Sequence, residues 1–119
     1  MADFFRIESQ QTLHVVELFL PELIDPLEFD RLNDAMLAAL AERADEKWVL
    51  DLGRVHYMGS AMLGLMVNVR QRIKSGGGAL VLCAMSPRLQ DIFRACSMER
   101  LFTIVRSRHD ALLRLTAGR

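Results

Sequence analysis

The chain has 119 residues, of which 51% are hydrophobic and 25% charged, a composition typical of a globular protein with one buried core rather than of a disordered or coiled-coil chain. Its 15 basic and 15 acidic residues cancel and neither sign forms a block, which argues against nucleic acid or an anionic membrane as a partner. No apolar run is long enough to span a bilayer. The length falls within the usual range of one domain, so we expect a single domain over residues 1–119.

The first residues, MADFFRIESQQ, do not resemble a signal peptide. Asp3 is acidic, and no positively charged region precedes a long apolar segment. We therefore expect a cytoplasmic location.

Cysteine and histidine usage indicates neither a metal ion nor a cofactor. Cys83 and Cys96 form no Cys-x-x-Cys pair, and each lies in an apolar stretch that suits a buried core thiol. His14, His56 and His109 stand singly, without the spacing of zinc ligands.

The chain opens with a predicted β-hairpin. Residues 4–9 and 12–20 are rich in strand-forming side chains and are separated only by Gln10 and Gln11. Alternation along the second run predicts a strand that is covered on at least one face.

A first crossover unit follows. Residues 26–44 carry apolar side chains at helical spacing, with Asp25 as the predicted N-cap and Pro26 in the first turn. Residues 48–52, WVLDL, are almost all apolar, which is typical of a central strand buried on both faces of a parallel sheet.

Two further crossover units complete the pattern. A helix over about 60–74 ends at Ser75 and the glycines 76–78, and a strand over 79–84 leads to a helix from Pro87 to about 96 with Ser86 as its N-cap. A strand over 102–105 and a helix over 108–115 follow. The order β-β-α-β-α-β-α-β-α predicts an α/β fold with a mixed sheet, opened by a hairpin, continued by parallel β-α units and packed with helices.

Residues 49–65, VLDLGRVHYMGSAMLGL, resemble the signature of the STAS domain family, in which a hydrophobic strand and a short loop lead to a serine that opens a helix. The family's loop commonly reads Asp-Ser-Ser-Gly-Leu-Gly and falls here on residues 59–64. Ser60 then takes the place of the family's phosphorylated serine, and Leu63 and Gly64 keep the end of the motif. The resemblance extends over essentially the whole chain, although Gly59, Ala61 and Met62 depart from the usual residues.

The resemblance implies a function as an anti-sigma factor antagonist, a regulatory protein without enzymatic activity. Its partner would be an anti-sigma factor with serine kinase activity, which would phosphorylate Ser60 and so end the binding. The alternative is a STAS scaffold or adaptor subunit that is not phosphorylated, and the oligomeric state stays open. The implied contact residues are Gly59, Ser60, Ala61, Met62, Leu63, Gly64 and Met66.

Physical chemistry allows two roles for Ser60, and they are compatible. Its hydroxyl could cap the helix by accepting a hydrogen bond from a first-turn amide. A phosphate at the same place would lie over free amides at the positive end of the helix, so the domain would tolerate it.

The predicted second helix carries more apolar side chains than one buried stripe can hold. We therefore expect Met62 and Met66 to lie at the surface as adaptable contacts for a partner. The alternative is that both methionines belong to the core.

Three other functions fit the sequence less well. Glycines 76–78 follow a predicted helix and precede a predicted strand, whereas a phosphate-binding loop follows a strand and precedes a helix. Asp51 could suggest a receiver domain, but no acidic pair follows the first strand. A hydrolase would need a base for Ser60, and only His56 is near it in sequence.

Overall fold

The nine predicted elements are all present, in the predicted order, in a computed structural model that describes residues 4–117. Asp3, which entered the signal-peptide argument, lies outside the described residues. Within the described range, no helix combines the length and apolar character needed to cross a bilayer. The elements are β1 (Phe5–Gln10), β2 (Leu13–Leu18), α1 (Pro26–Leu40), β3 (Lys47–Asp51), α2 (Ser60–Gly76), β4 (Ala79–Cys83), α3 (Pro87–Ala95), β5 (Thr103–Val105) and α4 (Arg108–Ala117).

The sheet is mixed, as predicted. Its strand order is β1-β2-β3-β4-β5, with β1 antiparallel to β2 and all other neighbours parallel. The hairpin turn is Gln11 and Thr12 rather than Gln10 and Gln11, because Gln10 still pairs with Leu13. Gln11 adopts a left-handed conformation with φ 56°.

Strand β3 lies at the centre and is buried on both faces, which confirms its prediction. Trp48, Val49 and Leu50 have almost no exposed surface. Helices α1, α2 and α3 cover the face that includes Trp48 and Leu50, whereas α4 covers the face that includes Val49. Both layers therefore pack against this one strand.

Helix α1 has the predicted start and an earlier end. Asp25 caps it, since Asp25 Oδ1 accepts a hydrogen bond from the Glu28 amide at 2.8 Å. The helix ends at Leu40 and not at residue 44, because residues 41–46 form turns that lead the chain down into β3. Trp48 Nε1 fastens these turns by donating to the Arg43 carbonyl at 2.9 Å.

His14 is a completely buried polar side chain under these turns. Its Nδ1 lies 2.7 Å from Ser9 Oγ, and its Nε2 lies 2.5 Å from Glu46 Oε1. The ring also packs against Trp48, with 4.4 Å between centroids. His14 thus joins the opening hairpin to the segment before β3, and both ring nitrogens have a partner, as a buried polar group requires.

The two cysteines differ in environment. Cys83 is buried, and burial together with the charge of Asp51 raises its pKa to about 12, so it remains a protonated thiol at neutral pH. Cys96 is exposed, and its prediction as a core thiol is wrong. It lies at the C-cap of α3, just beyond the last buried turn of that helix.

Gly78, which connects α2 with β4, provides a test of its close approach to the turns before β3. A Cβ at this position would overlap the carbonyl oxygens of Ala44 and Glu46, whereas a Cβ on Gly64 would meet open space. We expect Gly78→Ala to lower the free energy of unfolding by about 1–3 kcal/mol through overpacking. Gly64→Ala, the matched control in an exposed helical position, should raise it by about 0.5–1 kcal/mol. Urea unfolding measures both, and equal stabilities would contradict the close approach at Gly78.

Candidate functional site at the start of helix α2

The candidate site lies where the three loops that follow β2, β3 and β4 meet. These are residues 19–25, 52–59 and 84–86, and they leave the carboxyl ends of neighbouring parallel strands. The carboxyl edge of such a sheet is the usual place for binding in open α/β folds. Ser60 is at this edge, at the end of the second loop.

Ser60 is the first residue of α2, and its prediction as the N-cap is wrong. Gly59 is the N-cap, because its carbonyl accepts the first helical hydrogen bond, from the Leu63 amide at 3.0 Å. Gly59 has an extended backbone and offers no capping side chain. Ser60 is therefore exposed on the first turn without being needed to close the helix end.

The first turn of α2 is open to an anion. The first amides of any α-helix have no acceptor within the helix, and here the first turn carries neither a capping side chain nor an acidic residue. His56, the only histidine near Ser60 in the sequence, is exposed to solvent. The arrangement suits a negatively charged group on Ser60 better than it suits activation of its hydroxyl.

The loop before Ser60 is fastened at both ends. At its start, Asp51 Oδ1 accepts a hydrogen bond from the Gly53 amide at 2.9 Å. Further along, the side chains of Val55 and Met58 are buried in the core. The sequence interpretation considered Asp51 only as a phosphate acceptor and missed its role in holding this loop.

Asp51 is held in turn by Arg108 from α4. Its Oδ2 accepts a hydrogen bond from Arg108 Nε at 2.9 Å, and Arg108 Nη2 lies 2.8 Å from the same oxygen in an ion pair. Burial opposes the charge on Arg108, but the hydrogen bond to Asp51 and the charges of Asp51, Glu17 and Glu8 outweigh it and raise its pKa. Arg108 therefore keeps its positive charge at neutral pH.

The expectation that Met62 and Met66 lie at the surface is wrong. Met62 is 3% exposed and Met66 is 0% exposed. Helix α2 packs against both the sheet and α1, so its buried stripe is wider than a single contact would make it. The residues that α2 exposes near Ser60 are small, namely Ala61 and Gly64, with Leu63 half-buried beside them.

The structure adds an exposed group that sequence reasoning did not identify. We call it the Tyr57 patch, and it consists of Glu22, Leu23, Tyr57 and Arg88. Leu23, next to Glu22 in the chain, is 88% exposed. Arg88 Nη1 binds Glu22 Oε2 at 3.0 Å, and its guanidinium lies 5.2 Å from the centroid of the Tyr57 ring. Leu23, in the short loop between Pro21 and Asp25, was the available sequence signal.

Comparison with known proteins identifies the family that residues 49–65 resemble, and solved structures of that family have the fold described above. The sequence profile of the STAS domain matches residues 6–111. BtrV of Bordetella bronchiseptica, a protein named as an anti-sigma factor antagonist, is 33% identical over 78 residues, which cover 66% of this chain and 67% of BtrV.

Solved structures show the likeness of the fold. A STAS domain protein from Planctomyces limnophilus superposes with a TM-score of 0.80 at 23% identity, over 93% of this chain and 97% of that one. SpoIIAA in its unphosphorylated form superposes with a TM-score of 0.76 at 19% identity, over 95% and 96% of the two chains. Its phosphorylated form, from Bacillus, gives 0.68 at 20% identity, over 92% and 97%.

The burial of Met62 leads to a stability prediction. We expect Met62→Ala to lower the free energy of unfolding by about 2–5 kcal/mol, since it removes a buried side chain from the core. Leu27→Ala is the control, because it truncates an exposed side chain and should change stability by no more than about 0.5 kcal/mol. Denaturant unfolding measures the difference, and equal effects would show that Met62 is at the surface after all.

Proposed function

The chain belongs to the STAS domain family, and from this premise we propose that it binds an anti-sigma factor with serine kinase activity and is inactivated by phosphorylation at Ser60. The observation that carries the proposal is the exposed hydroxyl of Ser60 on an uncapped first turn. Resemblance to the family motif assigns the phosphorylated serine to the same position. The similarity to BtrV supports a role as an antagonist of an anti-sigma factor.

A phosphate on Ser60 is compatible with the folded domain. It would carry about −1.5 to −2 charges, and the nearby helix start offers free amides and a positive dipole end. No acidic side chain in the first turn opposes it. The phosphate would therefore act on the partner's surface rather than on the fold.

The proposed contact surface consists of Gly59, Ser60, Ala61, Leu63 and Gly64. Its side chains are small or half-buried, so a partner can approach the helix closely. A phosphate in the middle of such a contact must find a cation or be desolvated without one, and binding is then lost. Met62 and Met66 act from beneath this surface by supporting the helix.

The proposal describes a regulatory protein of the cytoplasm with a protein partner and no catalytic step of its own. The second candidate is a scaffold or adaptor subunit in which Ser60 is never modified. The departures at Gly59 and Ala61 from the usual motif favour this alternative. Phosphorylation of Ser60 separates the two.

The first test locates phosphate. The wild-type protein, Ser60→Ala and Ser75→Ala are incubated with ATP and an extract of the native cells, and phosphopeptides are identified by mass spectrometry. We expect phosphate on Ser60 in the wild type and in Ser75→Ala, which removes an exposed serine from the other end of α2. Ser60→Ala should stay unmodified and keep its stability within about 0.5 kcal/mol, since Ser60 is not the cap. A wild-type protein without phosphate on Ser60 would support the scaffold.

The second test measures binding. The proposed partner, an anti-sigma factor kinase from the same cells, is titrated calorimetrically against the wild type, Ala61→Arg, Ser60→Asp and a control, Leu113→Arg, on the exposed side of α4. We expect Ala61→Arg to weaken binding by about 1–3 kcal/mol, because it places a bulky charge in the contact. Ser60→Asp should weaken it less than phosphate does, since it carries one charge. Wild-type affinity in both variants would exclude the Ser60 surface as the contact.

A further inference from the structure

An ion pair connects α4 with the loop that leads to Ser60. Arg108, in the first turn of α4, binds Asp51 Oδ2 through two nitrogens, at 2.9 and 2.8 Å. The other oxygen of the same carboxylate accepts the Gly53 amide at 2.9 Å. Asp51 is only 9% exposed. One carboxylate therefore holds a helix on one side of the sheet and a loop that leads to a helix on the other side.

Among the charged side chains around Asp51, Arg108 is the one that pairs with its carboxylate. Glu17 binds Arg6 at 2.7 Å and lies 3.8 Å from Arg54 and 3.9 Å from Arg108, and Glu8 lies 3.6 Å from Arg108. Among the described residues, only Arg108 brings a cationic group within 4.0 Å of an Asp51 oxygen. Arg6 and Arg54 belong to the same network but do not reach the carboxylate that holds the loop.

Without Arg108, Asp51 would be left as a largely buried carboxylate with a neighbouring carboxylate, Glu17, on the adjacent strand. Such a group turns toward water or changes its partners, because a buried charge without a counter-charge is unstable. Turning would release the Gly53 amide. The only other polar side-chain contact described for the first half of the loop is the exposed pair of Arg54 with Glu17 at 3.8 Å, which is a weak interaction, whereas the second half is held by buried Val55 and Met58.

We propose that Arg108 is a positioning residue: through Asp51 it holds residues 53–57 in the conformation in which Ser60 and Tyr57 are presented to the partner. This inference rests on the proposed function of Ser60. It gives α4, which lies on the sheet face opposite α2, a direct influence on the partner-binding end of the domain. Two nitrogens of the guanidinium contact the one oxygen Oδ2, and a lysine, which is a single point charge, cannot reproduce this arrangement.

Amide hydrogen exchange, measured by NMR on the purified protein, tests the coupling without any partner. The variants are Arg108→Gln and Arg108→Lys, with Arg6→Gln as the control, because Arg6 binds Glu17 of the same network but lies outside the loop and does not contact Asp51. We expect Arg108→Gln to accelerate exchange at residues 53–57 by roughly ten-fold or more, because a lost partner for a buried acceptor shifts local opening by that order. Exchange at Val49 and Leu50 should stay unchanged, and Arg108→Lys should lie between wild type and Arg108→Gln.

Equal loop exchange in Arg108→Gln and Arg6→Gln would overturn the proposal. A uniform acceleration that includes Val49 and Leu50 would also overturn it, because it would mean a general loss of stability.

Phosphorylation of Ser60 in cell extract at increasing protein concentration gives the functional readout. If the loop of Arg108→Gln holds Ser60 in position in only a half to a tenth of the molecules, the apparent KM rises by roughly two- to ten-fold, while the maximal rate is kept. An unchanged apparent KM in a variant with faster loop exchange would contradict a role in presenting Ser60. If wild-type Ser60 receives no phosphate, the proposed function fails, whereas the exchange pattern still decides whether Arg108 holds the loop.

Discussion

The burial of β3 on both faces is the constraint on which the rest of the structure depends. A parallel strand at the centre of a sheet must be covered on both sides, and Trp48, Val49 and Leu50 are covered almost completely. Helices α1 to α3 provide one cover and α4 the other. The crossover helices then have to start and end at the two edges of the sheet, so the loop after β3 carries Ser60 to the carboxyl edge, where the loops after β2 and β4 also lie.

Two polar side chains lie in or beside this apolar centre, and both link distant segments. His14 joins the hairpin to the turns before β3 at the amino edge, through Ser9 and Glu46. Asp51 joins α4 to the loop before Ser60 at the carboxyl edge, through Arg108 and Gly53. Each has its hydrogen-bonding capacity satisfied, which is the condition under which buried polar groups are tolerated. The edge with Asp51 is the one that carries the candidate site, so the ion pair lies at the start of the loop that leads to the site.

The start of α2 has a buried side that packs into the core and an exposed side that is free to contact a partner. Its inward side is filled by Met62 and Met66, and its outward side presents Ser60, Ala61 and Gly64. A group added to the outward side would therefore leave the core untouched, as the proposed phosphorylation of Ser60 requires. Gly59, the N-cap, stands where the family usually has an acidic residue, and it gives the helix start no capping side chain. The Tyr57 patch extends the exposed surface beyond the motif itself.

The sequence by itself determined the order of the elements, the opening hairpin, the buried central strand, the caps at Asp25 and Ser86 and the position of Ser60. These features follow from local signals, namely apolar periodicity, turn residues and a motif within one segment. Only the tertiary structure decided that Met62 and Met66 are buried, that Cys96 is exposed and that Gly59 rather than Ser60 is the cap. It also decided that Arg108 reaches Asp51, 57 residues earlier in the chain. Apolar periodicity indicates which face of a helix is apolar, but it does not indicate which other elements cover that face. A contact between residues distant in the chain forms only when the helices pack on the sheet.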